Sequence, residues 1–318
     1  MRRHVTTPEY PIDPSDSGGA TRLPSRSTAP RAGGALVLLL LAVMVVGTPA
    51  CRKAAPPQSP AEVQVVRGAS VPESPDDGAW SEAPVHVEPL LLQDLVEPRL
   101  MTPSTVQVRI QAISDGTRVA FRLEWDDKEK DDLPGAARFS DACAVQIPAK
   151  MEADVPAPQM GEMNRPVEIT YWRASWQAEA DGRPDDIKAL YPGATVDHYP
   201  FQAEPLQKEP DARHDMEARY APARALGNAM EGPHEKPVQD LIAEGPGTIT
   251  PAPATRSSAK GRHKAAGWAV VLSRPLPAGL APGGRSQVAF AVWEGSKQEV
   301  GSRKMRTGWT PLSLEAAR

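Results

Sequence analysis

Few side chains in this 318-residue sequence are of the types that usually carry chemistry, and they are scattered. The two cysteines, Cys51 and Cys143, sit in no CxxC or CxxCH setting. That argues against four-cysteine iron–sulfur clusters, paired-cysteine zinc sites and covalent c-type haem. His86, His198, His214, His234 and His263 are neither paired nor repeated, so structural or solvated roles are expected for them. Asp126-Asp127, Glu129 and Asp131-Asp132 crowd one stretch as a Ca²⁺ loop would. Lys128 and Lys130 intervene and EF-hand spacing is missing, so a solvated loop is the expectation. The sequence has no Ser-His-Asp arrangement, nucleophile elbow, Walker loop or dinucleotide fingerprint, and no independent catalytic role is expected. Seven tryptophans, in a chain only 5% aromatic, are expected as core anchors, with one or two lining a ligand groove.

The elements that must position these residues read as strands. Val106, Val108, Ile110 and Ala112 alternate with polar residues, a turn follows at Ser114-Asp115-Gly116, and Val119, Phe121, Leu123 and Trp125 alternate again. Period-2 alternation on both sides of an Asp-Gly turn predicts a hairpin with one buried face. Shorter alternations at 143–147, 167–171, 268–272 and 288–292 are each bounded by proline or glycine. The 35 prolines favour short strands and turns over long helices. The predicted fold is all-β, an antiparallel β-sandwich with long loop insertions, because 181–240 and 246–262 are polar and without period.

Residues 32–51 carry no charge, and the strongly apolar part, Ala35 to Val46, is 12 residues long. That length suits a signal-peptide core better than a membrane span, which needs about 20 residues. The segment ends Gly47-Thr48-Pro49-Ala50-Cys51, similar to a lipoprotein cleavage site, although Thr48 stands where leucine is usual. Residues 1–51 are therefore expected to be a signal peptide or lipoprotein signal, with Cys51 a lipidation site or plain cleavage or an uncleaved anchor as alternatives. Residues 52–75, rich in Pro and Ala, are expected to be a tether, and 76–314 the folded domain. A Cys51–Cys143 disulfide is not expected if Cys51 is processed. A net charge of −4 without basic clusters gives no sign of nucleic-acid binding. Membrane contact is expected only through the N-terminal anchor.

Several segments, in order, resemble the haem-b-binding subunits of ethylbenzene dehydrogenase and dimethylsulfide dehydrogenase. They are Gly78-Ala79-Trp80, Leu123-Glu124-Trp125-Asp126-Asp127, Arg138 to Pro148, Pro158-Gln159-Met160-Gly161 and Pro166 to Trp172. Ala243 to Thr248, Gly267-Trp268, Arg274-Pro275-Leu276, Ala289 to Trp293, Gly301-Ser302-Arg303-Lys304 and Trp309 continue the likeness. The resemblance implies a β-sandwich related to certain carbohydrate-binding modules, holding one non-covalent haem b through a methionine and a lysine. Met160, in a Met-Gly turn, and Lys304, after the last strong strand, match those iron ligands. Met163 is the alternative methionine, Lys260 and Lys264 the alternative lysines, and His198 the histidine placed to cover the haem or meet a propionate. The segment between Met160 and Lys304 is longer than in the ethylbenzene dehydrogenase subunit.

A thioether suits Fe(II) and raises the potential, whereas lysine binds iron only as the neutral amine and must lose its proton. The haem is expected between loops at one end of the sheets. The resemblance implies a periplasmic electron-transfer subunit, relaying electrons from a molybdopterin catalytic subunit and an iron–sulfur subunit to a periplasmic c-type cytochrome. The competing expectation is an exported sandwich module that binds a carbohydrate or another small ligand without haem.

Overall fold

The strongest alternation in the sequence forms the hairpin that it predicts. In the computed structural model, which describes residues 60–150, 152, 154–184, 186–195, 208–226, 228, 234–277 and 280–316, Gln107–Ser114 pairs antiparallel with Arg118–Asp126. Asp115 shapes the turn, its carboxylate accepting N–H bonds from Thr117 and Arg118 at 2.8 Å each. Gly116 follows at φ 96°, a conformation glycine adopts without steric cost.

In chain order the strands are β1 (Val63–Arg67), β2 (His86–Pro89), β3 (Leu91–Leu92), β4 (Gln107–Ser114), β5 (Arg118–Asp126), β6 (Ala142–Pro148) and β7 (Val167–Arg173). They continue as β8 (Val238–Ala243), β9 (Thr250–Pro251), β10 (Ser258–Lys264), β11 (Gly267–Pro275), β12 (Arg285–Trp293), β13 (Met305–Arg306) and β14 (Thr310–Leu314). The main pairing path is β10-β11-β5-β4-β1-β14-β12-β6-β7-β8-β9. β12 belongs to both layers: Arg285 to Val288 pair with β14, and Ala289 to Trp293 pair with β6. One layer thus runs from β10 to β14, and the other from β6 to β9.

The core lies between the layers. Phe121 and Leu123 of β5 and Val270 and Leu272 of β11 face Val145 and Ile147 of β6 and Val288, Phe290 and Val292 of β12. Trp125 and Trp268 stack at 6.4 Å between ring centroids, and Trp172 meets them edge-on at 6.4 and 4.9 Å. Each such side chain buried from water contributes about 1.5–3 kcal/mol. This is the sandwich that the sequence predicts.

Three expectations change in detail. Val63–Arg67, inside the stretch read as a tether, is a strand with parallel partners on both sides, β14 and β4. The folded domain therefore starts before residue 76, and the sandwich is not purely antiparallel. A short helix α1 (Ala174–Ala180) precedes the polar segments read as loops, which contain α2 (Ile187–Leu190), α3 (Pro210–Tyr220) and α4 (Pro222–Ala225) and run into β8 and β10. β8 is of intermediate burial along most of its length, and β10 mixes exposed and intermediate residues, so their alternation is weak. Cys51 and the whole signal segment lie outside the described residues.

Candidate functional site: an apolar cavity on the outer face of one layer

A half-solvated strand alternates apolar and polar residues, but β6 and β12 do not. Cys143, Val145 and Ile147 point into the core, yet Ala142 and Ala144 on the opposite face are buried too. In β12, Ala289, Ala291 and Trp293 are buried on the face opposite Val288, Phe290 and Val292. Ala144, Ala289, Ala291 and Trp293, with Ile169 and Tyr171 of β7 and Leu241 of β8, form the floor of a cavity of about 840 Å³. Loops around Val96, Met160, Gly247 and Gly301 make its walls. The cavity therefore lies between loops, as expected of the site, but over a sheet face.

Met160 reaches the cavity from a tightly held turn. It sits at φ 69° and Gly161 at φ 83°, two successive left-handed residues. The Gly161 amide donates to Ala157 O at 3.0 Å, and the Gly245 amide donates to Met160 O at 2.8 Å. A Cβ on Gly161 would fall 2.9 Å from Ala243 O and 3.0 Å from Arg165 O, so only glycine fits. Gln146 Nε2 and Trp309 Nε1 donate to Pro158 O and Pro156 O, tying the turn to β6 and to the C-terminal segment.

Lys304 enters the same cavity from the start of β13. β13 pairs with both β12 and β3, and the Gln93 amide donates to Lys304 O at 3.2 Å. Met305 is buried in the core, so strand alternation turns Lys304 and Arg306 the other way, to the cavity lining. Lys304 Nζ lies 5.0 Å from the centre of the Trp293 ring. Burial first, and then the Arg306 charge, lower its pKa to about 8. Among the described residues no carboxylate pairs with it. The neutral amine is thus accessible near physiological pH. Arg306 Nε is itself buried without a hydrogen-bond partner. A soft neutral thioether, an amine poised to lose its proton and an under-satisfied guanidinium therefore line one apolar chamber.

The alternative residues lie elsewhere. Met163 is 81% exposed, and Lys260 and Lys264 pair with Asp181 and Asp76 at 2.5 Å each. None of the described histidines lines the cavity. His86 bonds Pro60 O and Glu88, His234 stacks on Trp176 beside Glu179, His263 packs on Trp268, and His214 is exposed on α3. His198 lies outside the described residues. The solvated-loop expectation for the acidic stretch fails at Asp127, which is buried beside Asp141 and Glu294.

A family model described as ethylbenzene dehydrogenase matches residues 77–305. The chain belongs to the ethylbenzene dehydrogenase family. One family-like relative, from Haloferax mediterranei and named as a respiratory nitrate reductase heme subunit, is 24% identical over 282 residues, covering 86% of this chain and 80% of its own. The chlorate reductase gamma subunit of Ideonella dechloratans is also 24% identical, over 274 residues, covering 83% of this chain and 89% of its own. Among solved structures, a family 9 carbohydrate-binding module from Caldicellulosiruptor kristjanssonii in complex with cellotriose aligns with a TM-score of 0.41 at 9% identity, covering 80% of this chain and 94% of that one.

In this ethylbenzene dehydrogenase family member, Met160 and Lys304 were legible through the resemblance, whereas Arg306, Tyr171 and the alanine floor were not singled out. A signal for the floor did exist. Ala289-Phe290-Ala291-Val292-Trp293 is apolar at every position, which marks a strand covered on both faces.

Proposed function

We propose that this chain is an exported, haem-b-binding electron-transfer subunit of a molybdenum oxidoreductase complex, with Met160 and Lys304 as the axial iron ligands. The observation that carries the reading is the convergence of these two side chains, 144 residues apart, on one apolar cavity. The names of the two relatives, a heme subunit and a gamma subunit of reductases, support a carrier within a complex. The cavity residues fit a haem: the volume falls within the range for small-molecule sites, about 300–1,000 Å³. The Arg306 guanidinium, with Nε unpartnered, suits a propionate.

When bound, haem supplies one-electron exchange at iron, and the protein supplies ligation, orientation and exclusion of water. Met160, held by its turn, would present sulfur and favour the reduced metal. Lys304, kept from full hydration, would present nitrogen once its proton has gone to solvent. Both ligands add no charge, so the apolar floor faces no uncompensated ligand charge. The electrons would come from a molybdopterin subunit through an iron–sulfur subunit and leave to a c-type cytochrome in the periplasm, with Cys51 the anchor point if it is acylated.

The test is the visible spectrum and redox midpoint of the protein purified from haem-replete cells. One low-spin, six-coordinate haem b per chain is expected. Met160→Ala should shift the midpoint and open or replace an axial position, and Lys304→Ala should weaken haem retention. Parent-like spectra and midpoints in both variants would refute the ligand assignment, and a parent without haem would leave a haem-free binding module.

A further inference from the structure

Three carboxylates converge away from the cavity, where β5 ends, β6 begins and β12 ends. Asp127, Asp141 and Glu294 are 4%, 0% and 8% exposed, and each places an oxygen within 4.8 Å of the others. Among the described residues no lysine or arginine forms an ion pair with any of them. Buried charge of one sign is costly unless a partner or a metal compensates it.

The hydrogen bonds show which form the site is built for. Asp141 Oδ1 accepts from the Gly295 amide at 2.8 Å, and Oδ2 from the Asp131 amide at 2.8 Å and Trp268 Nε1 at 2.9 Å. Three N–H donors on one carboxyl favour the anion. Asp127 Oδ1 accepts from the Glu129 amide, but Oδ2 is fully enclosed and receives no N–H bond, and the side chain that Asp127 meets is another carboxyl, Glu294. A second enclosed oxygen without a donor, Asp131 Oδ2, belongs to the same loop. A carboxylate with three N–H donors beside two more buried carboxyls, one with an oxygen that no N–H reaches, leaves the cluster short of positive charge.

We propose that Asp127, Asp141 and Glu294 form a binding site for a divalent cation, Ca²⁺. All the donors are hard oxygens, which suit Ca²⁺, Mg²⁺ or Mn²⁺ and not the softer metals. Oxygens within 4.8 Å of one another can all be reached by a Ca²⁺ ion at about 2.3–2.6 Å per oxygen, whereas Mg²⁺ at about 2.0–2.1 Å demands a tighter set. Gly295 makes the close packing feasible: a Cβ there would meet Phe139 O at 2.3 Å and Asp131 Cβ at 2.5 Å. The cation would clamp the end of β12 to the start of β6, where Trp293 and Ala142 are register partners. Trp293 is the ring beside Lys304, so the clamp would also steady the cavity wall.

The test uses the full exported protein as isolated, stripped with EDTA and then titrated at constant pH. Elemental analysis should find one Ca²⁺ per chain before stripping, and Ca²⁺ should raise the melting temperature of the stripped protein by several degrees. Tb³⁺ should bind with emission excited through Trp268 and be displaced by Ca²⁺. Glu294→Gln and Asp127→Asn should each weaken Ca²⁺ binding by at least about tenfold. A wild-type protein that carries no metal and melts at the same temperature with and without millimolar Ca²⁺ would overturn the site, whether or not the variants fold.

Discussion

Lys304 and Arg306 show how two side chains of ordinary surface type become unusual through position alone. They are alternate residues flanking a core methionine, Met305, so the strand that buries Met305 delivers both to the cavity. The charge on Arg306 helps lower the Lys304 pKa, after burial itself. Replacing Arg306 with methionine should therefore raise the Lys304 pKa modestly and remove the donor proposed for a propionate. The expected outcome is faster haem loss to an acceptor such as apomyoglobin, with the low-spin spectrum retained because both axial ligands remain. Faster loss accompanied by a high-spin spectrum would instead mean that Arg306 positions Lys304. Lys304 also shows the limit of sequence reading. Nothing in Gly301-Ser302-Arg303-Lys304 separates it from a solvated lysine, and only the family likeness singled it out. Its burial depends on β12 and on β3, and β3 is remote in sequence.

Two turns illustrate control by short elements. In the β4–β5 turn, hydrogen bonds from the Arg118 and then the Thr117 amide hold the Asp115 carboxyl below the usual carboxylate range. A depressed folded-state pKa means that the unfolded chain binds more protons at acidic pH, so stability falls as pH drops. Asp115→Ala should cost about 0.5–2 kcal/mol at neutral pH. That difference is fully present above about pH 4 and should shrink as pH falls further through the folded pKa, as denaturant titrations from pH 6 to pH 3 would measure. In the Met160 turn, Gly161→Ala adds a Cβ that collides with Ala243 O and Arg165 O. The strain should cost about 1–3 kcal/mol and displace Met160, so haem binding and thermal stability should fall together. The hairpin was legible because all its information is local: alternation, Asp-Gly and alternation again. The parallel pairing of β1 was not, because Val63, Val65 and their partners Leu312 and Leu314 are separated by nearly the whole domain.

On the scale of the whole molecule, the two faces of one layer have different work. The inner face packs the sandwich core, and the outer face forms the cavity floor. The core was readable residue by residue, since Leu123, Val145, Val270 and Phe290 follow strict period-2 patterns. The cavity was not, because the all-apolar run from Ala289 to Trp293 marks a covered face but not its shape, which depends on how four strands align. Separate faces imply separable defects. Leu123 is fully buried in the core and does not line the cavity, so Leu123→Ala should cost about 2–5 kcal/mol through lost contacts and a residual void. The same variant should keep the spectrum of bound haem. Ala291 lies in β12 opposite Ala144 and lines the cavity. Ala291→Leu adds bulk on the cavity face, away from the inner core of Val288, Phe290 and Val292, so the fold should persist while haem is excluded. Denaturant midpoints and haem-to-protein ratios, measured on both variants, would show the two effects apart. If Leu123→Ala instead loses haem at a denaturant concentration where the sandwich is still folded, or Ala291→Leu binds haem as the parent does, the cavity is not the cofactor site.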